Sequence, residues 1–267
     1  MERPRFPREL ERQIFLIALK CDWDVENLLP VSKRVHDWLF PKVFEVVILG
    51  VTRNFPLSFT LEKFEKYGHH IRALFLTKTG SERETGQNLA LEYISHCPNL
   101  QNLSIPGTTS IDQTLLQNAL IGLPLSRLTI HVKTILSDPP SPQLRPILAN
   151  LTHLRLYGRF RTEPFPNAQP PLLRHFFPKL THIAFPFTTK QDIRIAVQGW
   201  DALRVVVLWY PIVDVEDRTD LLLDSPHPRL VILGCSMTRH WEDGVRGRGP
   251  DIWELSEGFL KSRLEGE

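Results

Sequence analysis

The chain has 267 residues, 42% of them hydrophobic, which is enough for one large domain, or a small module joined to a mid-sized one, with a well-buried core. Its 32 Lys and Arg face 30 Asp and Glu, a near-neutral balance that argues against a general phosphate-backbone binder. Cys21, Cys97 and Cys235 are scattered, with no CxxC and no matching Cys/His ladder, so small buried thiols in a reducing compartment, cytosol or nucleus, are expected and no metal is.

The opening MERPRFPREL runs charges straight into an amphipathic stretch, with no apolar core of a secretory leader. The apolar runs from Ile14 and from Val205 are too short to span a bilayer. Pro7 suits the first turn of a helix, and Glu9 and Glu11 sit where its N-terminus favours negative charge. Leu10, Ile14, Ile17, Ala18 and Cys21 form one stripe of that helix, and Phe15 and Leu19 widen it to roughly 200°. A helix this broadly apolar buries two faces against two different things. After the break CDWDVEN comes LLPVSKRVHDWLFP, whose Val31, Val35, Trp38 and Leu39 share a face opposite Lys33, Arg34 and Asp37. Pro30 suits the start of this second helix and Pro41 its end. So short a helical unit is marginal alone and has to dock on its own chain, on a partner, or on both. A plain cap over the open end of the next domain remains one reading of it.

The segment FPRELERQIFLIAL followed by LLPVSKRVHDWL resembles the F-box pattern. It has the Leu/Phe-Pro-x-Glu-Leu opening, an Ile-Phe pair one turn later, and a Val-Ser/Cys-Lys-Arg helix. The likeness runs from Phe6 to about Glu45 and is nearest to the divergent boxes of fungal, basidiomycete-type proteins, in which VSKRVHDWL passes directly into a strand like VFEVVIL. The resemblance implies docking on a Skp-type adaptor of a cullin ubiquitin ligase. Carried across by position, the adaptor contacts are Pro7, Leu10, Ile14, Leu28, Leu29 and Val31. Phe6 in place of the usual Leu, and Pro30 before Val31, depart from the pattern.

From Phe44 a triplet apolar-x-x-apolar-x-apolar recurs, starting at Phe44, Ile71, Leu100, Leu125, Leu151, Leu180, Leu203 and Leu230. Successive starts lie 23 to 29 residues apart, the period of a leucine-rich repeat with one strand per unit. Short helices are predicted between strands at Leu61–Tyr67, Gln87–His96, Thr114–Ile121, Pro171–Phe177 and Gln191–Gly199. The proline-rich stretches PPSPQLRP and PFPNAQPP suit irregular linkers. Where the repeat usually keeps an Asn or Cys, the chain has Thr79, Thr108, Lys133, Arg159, Thr188, Pro211 and Thr238, so an irregular solenoid is expected. The alternative is a doubly wound α/β sheet, which also alternates strands and helices. Residues 1–43 thus read as an F-box-like helical module and 44–240 as an α/β repeat body of about eight parallel strands. Residues 241–267 read as a basic loop and a C-terminal capping helix, with Ile252, Leu255 and Phe259 on one face and Trp253, Leu260 and Leu264 beside it.

In such a repeat the residues between the triplet's members face the concave side. Arg127, His131, His153, Arg155, Tyr157, His182 and Trp209 would then form one patch across neighbouring strands. Arg, Tyr and Trp are frequent interface anchors, and Arg forks carboxylate or phosphate, so an acidic or phosphorylated protein target is implied. Phosphate-loop, dinucleotide, nucleophile-elbow and zinc-protease motifs are all missing, and neither a cofactor nor catalysis is expected. Two functions stay open: a substrate receptor of a ubiquitin ligase, or a non-catalytic repeat scaffold whose N-terminal helices only cap the stack. Neither implies a nucleic acid or a membrane as partner.

Overall fold

A computed structural model describes residues 6–20, 25–49, 60–76, 85–106, 113–131, 144–158, 174–186, 200–210, 228–234 and 237–266. The chain starts with three helices, α1 (Arg8–Lys20), α2 (Val25–Leu28) and α3 (Lys33–Phe44). Ser32 caps α3 by accepting from the Val35 amide at 3.2 Å, so the helix begins three residues past the expected Pro30. It also runs through Pro41 instead of ending there. One lost amide donor is outweighed at this point by packing. Val43 and Phe44 are buried beyond the proline, and Phe40, Phe44 and Tyr67 hold ring centroids 4.7–4.8 Å apart. The module has its own small core of Leu28, Val35 and Leu39, closed by Phe15, Leu16, Ala18 and Leu19 from α1. Arg34 of α3 donates to Glu11 of α1 at 2.7 Å.

Among the described residues eight strands follow: β1 (Val46–Leu49), β2 (Ala73–Leu76), β3 (Asn102–Ile105), β4 (Arg127–His131), β5 (His153–Tyr157), β6 (His182–Pro186), β7 (Val205–Tyr210) and β8 (Leu230–Gly234). They form one parallel sheet whose spatial order is the chain order. A doubly wound sheet reverses strand order at its switch point, and this one never does. The protein is therefore α/β, with every expected strand in place.

Between strands lie α4 (Leu61–Tyr67) with a 3-10 turn at Gly68–His70, α5 (Thr85–Ser95), α6 (Gln113–Leu120) and α7 (Arg145–Leu148). The expected helix at 171–177 is seen at 174–176, and 191–199 lies outside the described residues. The end of PPSPQLRP, expected to be irregular, is helical in α7, where Pro146 sits in the first turn and loses no needed donor. The stretch near Pro164 lies outside the described residues, as do Cys21, Cys235, Thr79, Thr108, Lys133, Arg159, Thr188, Pro211 and the side chain of Thr238.

A repeated hydrogen-bond figure fixes each strand's start. The amides of Ile71, Leu100, Leu151, Leu180 and Leu203 each donate to the carbonyl three residues back. The next two amides converge on one carbonyl of the preceding unit: Arg72 and Ala73 on Glu45, Gln101 and Asn102 on Arg72, Thr152 and His153 on Ser126, Thr181 and His182 on Thr152. Hydroxyls continue the line, with Thr152 donating to the Ser126 carbonyl at 3.1 Å and Thr181 to that of Thr152 at 3.2 Å.

One face of the sheet packs Leu74, Leu103, Leu128, Leu154, Ile183 and Val206 against Phe64, Ile94, Leu116, Ile147 and Phe176 in a single core. Parallel sheets are stable when both faces are covered. The second face is covered by α8 (Met237–Arg246) and α9 (Ile252–Glu265). Residues 241–246, expected within a basic loop, are helical, because Trp241 and Val245 share a face and pack on Val46, Ile48, Ala73 and Phe75. Glu242 pairs with Arg246 one turn on at 2.9 Å. Helix α9, expected at the end of the stack, lies against the second face instead, over Val205, Val207, Trp209 and Val231.

Candidate interaction surfaces

The first candidate lies on α1. Its inner side chains close the module core, while Leu10 (53% exposed), Ile14 (52%) and Ile17 point outward together with Phe6. Val31, in the turn before α3, is also exposed, and so is Pro7. Of the six positions tied to an adaptor, four are thus open: Pro7, Leu10, Ile14 and Val31. Leu29 is half-buried, and Leu28 is sealed in the module core, where its side chain holds α2 to α3. Between α1, the end of α3 and α8 lies a 320 Å3 cavity floored by Leu16, Ile17, Val46 and Val245. Its cations are matched, Lys42 to Glu45, Arg246 to Glu242 and Arg248 to Glu242.

The second candidate is the middle of the sheet's second face. All seven residues expected there do converge, but under a cover. His131, Arg155 (3% exposed), His182 and Trp209 are buried, and Arg127, His153 and Tyr157 are partly so. The open concave patch is therefore corrected to a closed polar layer. The reason lies in its flanks: this face is apolar on β1–β2 and on β7–β8, and such a surface recruits a layer of its own.

Arg127 reaches Asp251 at 2.5 Å, and Asp251 at the same time caps α9 by accepting from the Trp253 and Glu254 amides. The Asp251 amide in turn donates to the Glu254 carboxylate, completing a capping box. His153 and His182 stack at 4.2 Å with an interplanar angle of 13°, and Trp253 meets both edge-on. His182 places Nε2 3.1 Å from Glu257 and Nδ1 2.8 Å from the Thr181 hydroxyl. Burial, then the neighbouring His182 and Arg127, push the His153 pKa down to about 3. Burial lowers that of His182 as well, against the upward pull of its bond to Glu257. With a neutral ring, His182 donates to Glu257 through Nε2–H. The Arg155 guanidinium lies 4.4 Å above Trp209, whose indole N–H donates to the Leu156 carbonyl at 3.3 Å. Tyr157 stacks on Trp209 at 5.6 Å and is met in turn by His131.

Asp251, Trp253 and Glu257 belong to this site and were not legible as part of it. The available signal was local: D-x-x-E before an apolar run marks a helix start, but says nothing of which face the helix lands on. Among the described residues, no three His, Cys, Asp or Glu side chains cluster to hold a metal, and no helix is long and apolar enough to cross a membrane. No family model matches the chain, and no curated protein matches it, so the geometry of these two surfaces carries the functional argument.

Proposed function

We propose that the chain is the non-catalytic substrate-recognition subunit of a Skp-cullin-F-box ubiquitin ligase, working in the cytoplasm or nucleus. Its divergent F-box module docks on the adaptor, and an irregular leucine-rich-repeat solenoid captures a protein target. The observation that carries the reading is the outward stripe Leu10, Ile14 and Ile17 on α1, continued by exposed Phe6 just before it, on the same short module as exposed Val31. Contiguous exposed apolar surface of this kind marks an interaction site. A module serving only as a cap has no use for it. The solenoid reading draws support from strand order, the 23- to 29-residue spacing and the recurring turn before each strand.

The test is co-purification with a Skp-type adaptor, native chain against Ile14→Asp. Half of Ile14 is in water in the free chain, so the variant keeps its fold. A carboxylate brought into an apolar interface costs on the order of 2–5 kcal/mol, and adaptor retention should fall at least thirtyfold. A native chain that retains no adaptor sinks the receptor reading and leaves an interaction scaffold.

A further inference from the structure

Helix α9 is buried on the sheet chiefly along its first two turns, and beyond them its contacts thin to Leu260 and to Arg263, which donates to the Leu230 carbonyl at 3.4 Å. Asp251, Ile252, Trp253 and Ser256 are buried, whereas from Glu257 onward its side chains are exposed except half-buried Leu260, with Phe259 57% in water. It is joined to α8 by Gly247, at φ 64°, then Arg248, Gly249 and Pro250. Helix α8 is held differently, by Trp241 packed on Phe75 and donating to Asn102 at 3.0 Å, and by Arg246 donating to the Val46 carbonyl at 3.2 Å. The α9 contacts are also complementary in charge. The sheet offers Arg127 and His182 donors, and the helix offers Asp251 and Glu257 acceptors around a tryptophan that meets the stacked imidazoles edge-on. Without α9 the same face presents Val205, Val207, Trp209 and Val231 beside Arg127 and Arg155, an apolar floor with Arg and Trp anchors.

We infer that α9 is a releasable occupant of this face, standing in for the partner it is shaped to bind: an acidic, tryptophan-bearing helix of a protein target. The inference rests on the receptor reading for calling that partner a target. Because α9 is tethered beside its site, its effective concentration is high, and a free helix competes only when α9 is loosened.

The probe is a fluorescein-labelled peptide of residues 250–266, titrated against the intact chain and against Asp251→Arg, which reverses the contact with Arg127 and removes the helix cap. The variant should capture the peptide at least tenfold more tightly than the native chain, and a peptide carrying the same Asp251→Arg change should not be captured. A folded variant that takes up no peptide, or takes up a scrambled peptide of equal composition as well, overturns the inference. So does a variant whose sheet amides lose protection, since α9 is then a permanent layer. In the native chain, amides of residues 256–260 should exchange at least a hundredfold faster than those of β4–β6. Equal protection also overturns it. Adaptor retention, measured on the same preparations, is unaffected by Asp251→Arg if the receptor reading holds, so failure of one reading is distinguishable from failure of the other.

Discussion

Ser104 is fully buried on β3, and its hydroxyl has no hydrogen-bond partner among the described residues. An unsatisfied buried hydroxyl forfeits its bonds to water and gains nothing in return. Ser104→Ala should therefore stabilise the chain, by about 1 kcal/mol, seen as a higher urea midpoint at unchanged slope. A lower midpoint would mean that the hydroxyl is bonded after all. Cys97 is the opposite case, a group whose burial silences it. Its thiol donates to the Tyr93 carbonyl at 3.2 Å, and desolvation lifts its pKa from 9.0 to about 12. The thiolate is the reacting form, so alkylation of Cys97 in the folded chain should run roughly a thousandfold slower than in denaturant. Peptide-resolved mass spectrometry after iodoacetamide reads this directly, and comparable rates in the two conditions would contradict the packing. Gly158 shows a third constraint. Its φ of 105° disfavours a side chain, and a Cβ there would strike the His131 ring.

At the scale of elements, the strands were legible because each needs only a short local pattern. An apolar triplet repeated every 23 to 29 residues places eight parallel strands without knowledge of any distant contact. The two-sided character of α1 was legible in the same way, from a stripe too wide for one core. Helix α8 was not. Its sequence RHWEDGVR reads as polar until Trp241 and Val245 find β1 and β2, some 170 residues or more upstream. The candidate site failed at the same point: its seven residues were placed on one face correctly, but the cover depends on Arg127 meeting Asp251, 124 residues away. Local period carries no information about such a pairing. Trp241 is the side chain on which α8 depends, with an edge-to-face contact to Phe75 at 5.1 Å and a bond to Asn102. Trp241→Ala should cost about 3–5 kcal/mol and raise exchange of α8 amides before those of the sheet. Uniform loss of protection instead would make α8 part of the central cooperative unit.

The whole molecule is layered as helices, sheet and helices, and its second interface is unusual in burying polar groups at its centre. His153 and His182 are neutral there, faced by Arg127, Arg204, Asp251 and Glu257 and covered by Trp253. In the unfolded chain both rings take up protons near 6.5, and in the folded chain His153 does so only near 3 and His182 below its ordinary value. The unfolded state therefore binds more protons across that window, and stability rises with pH through it. The contribution is fully present above 6.5 and declines as pH falls towards the folded values, by at most about 1.4 kcal/mol per pH unit for each histidine. His70, also lowered by burial and by His69, adds in the same direction. Between pH 6.5 and about 5 these three lowered histidines all act in the same direction. Urea midpoints should drop steadily over that interval, and His153→Gln with His182→Gln should flatten the profile. A native chain with a level midpoint over the same range would mean that the stacked pair is already open to water, and that α9 does not seal the centre of the sheet.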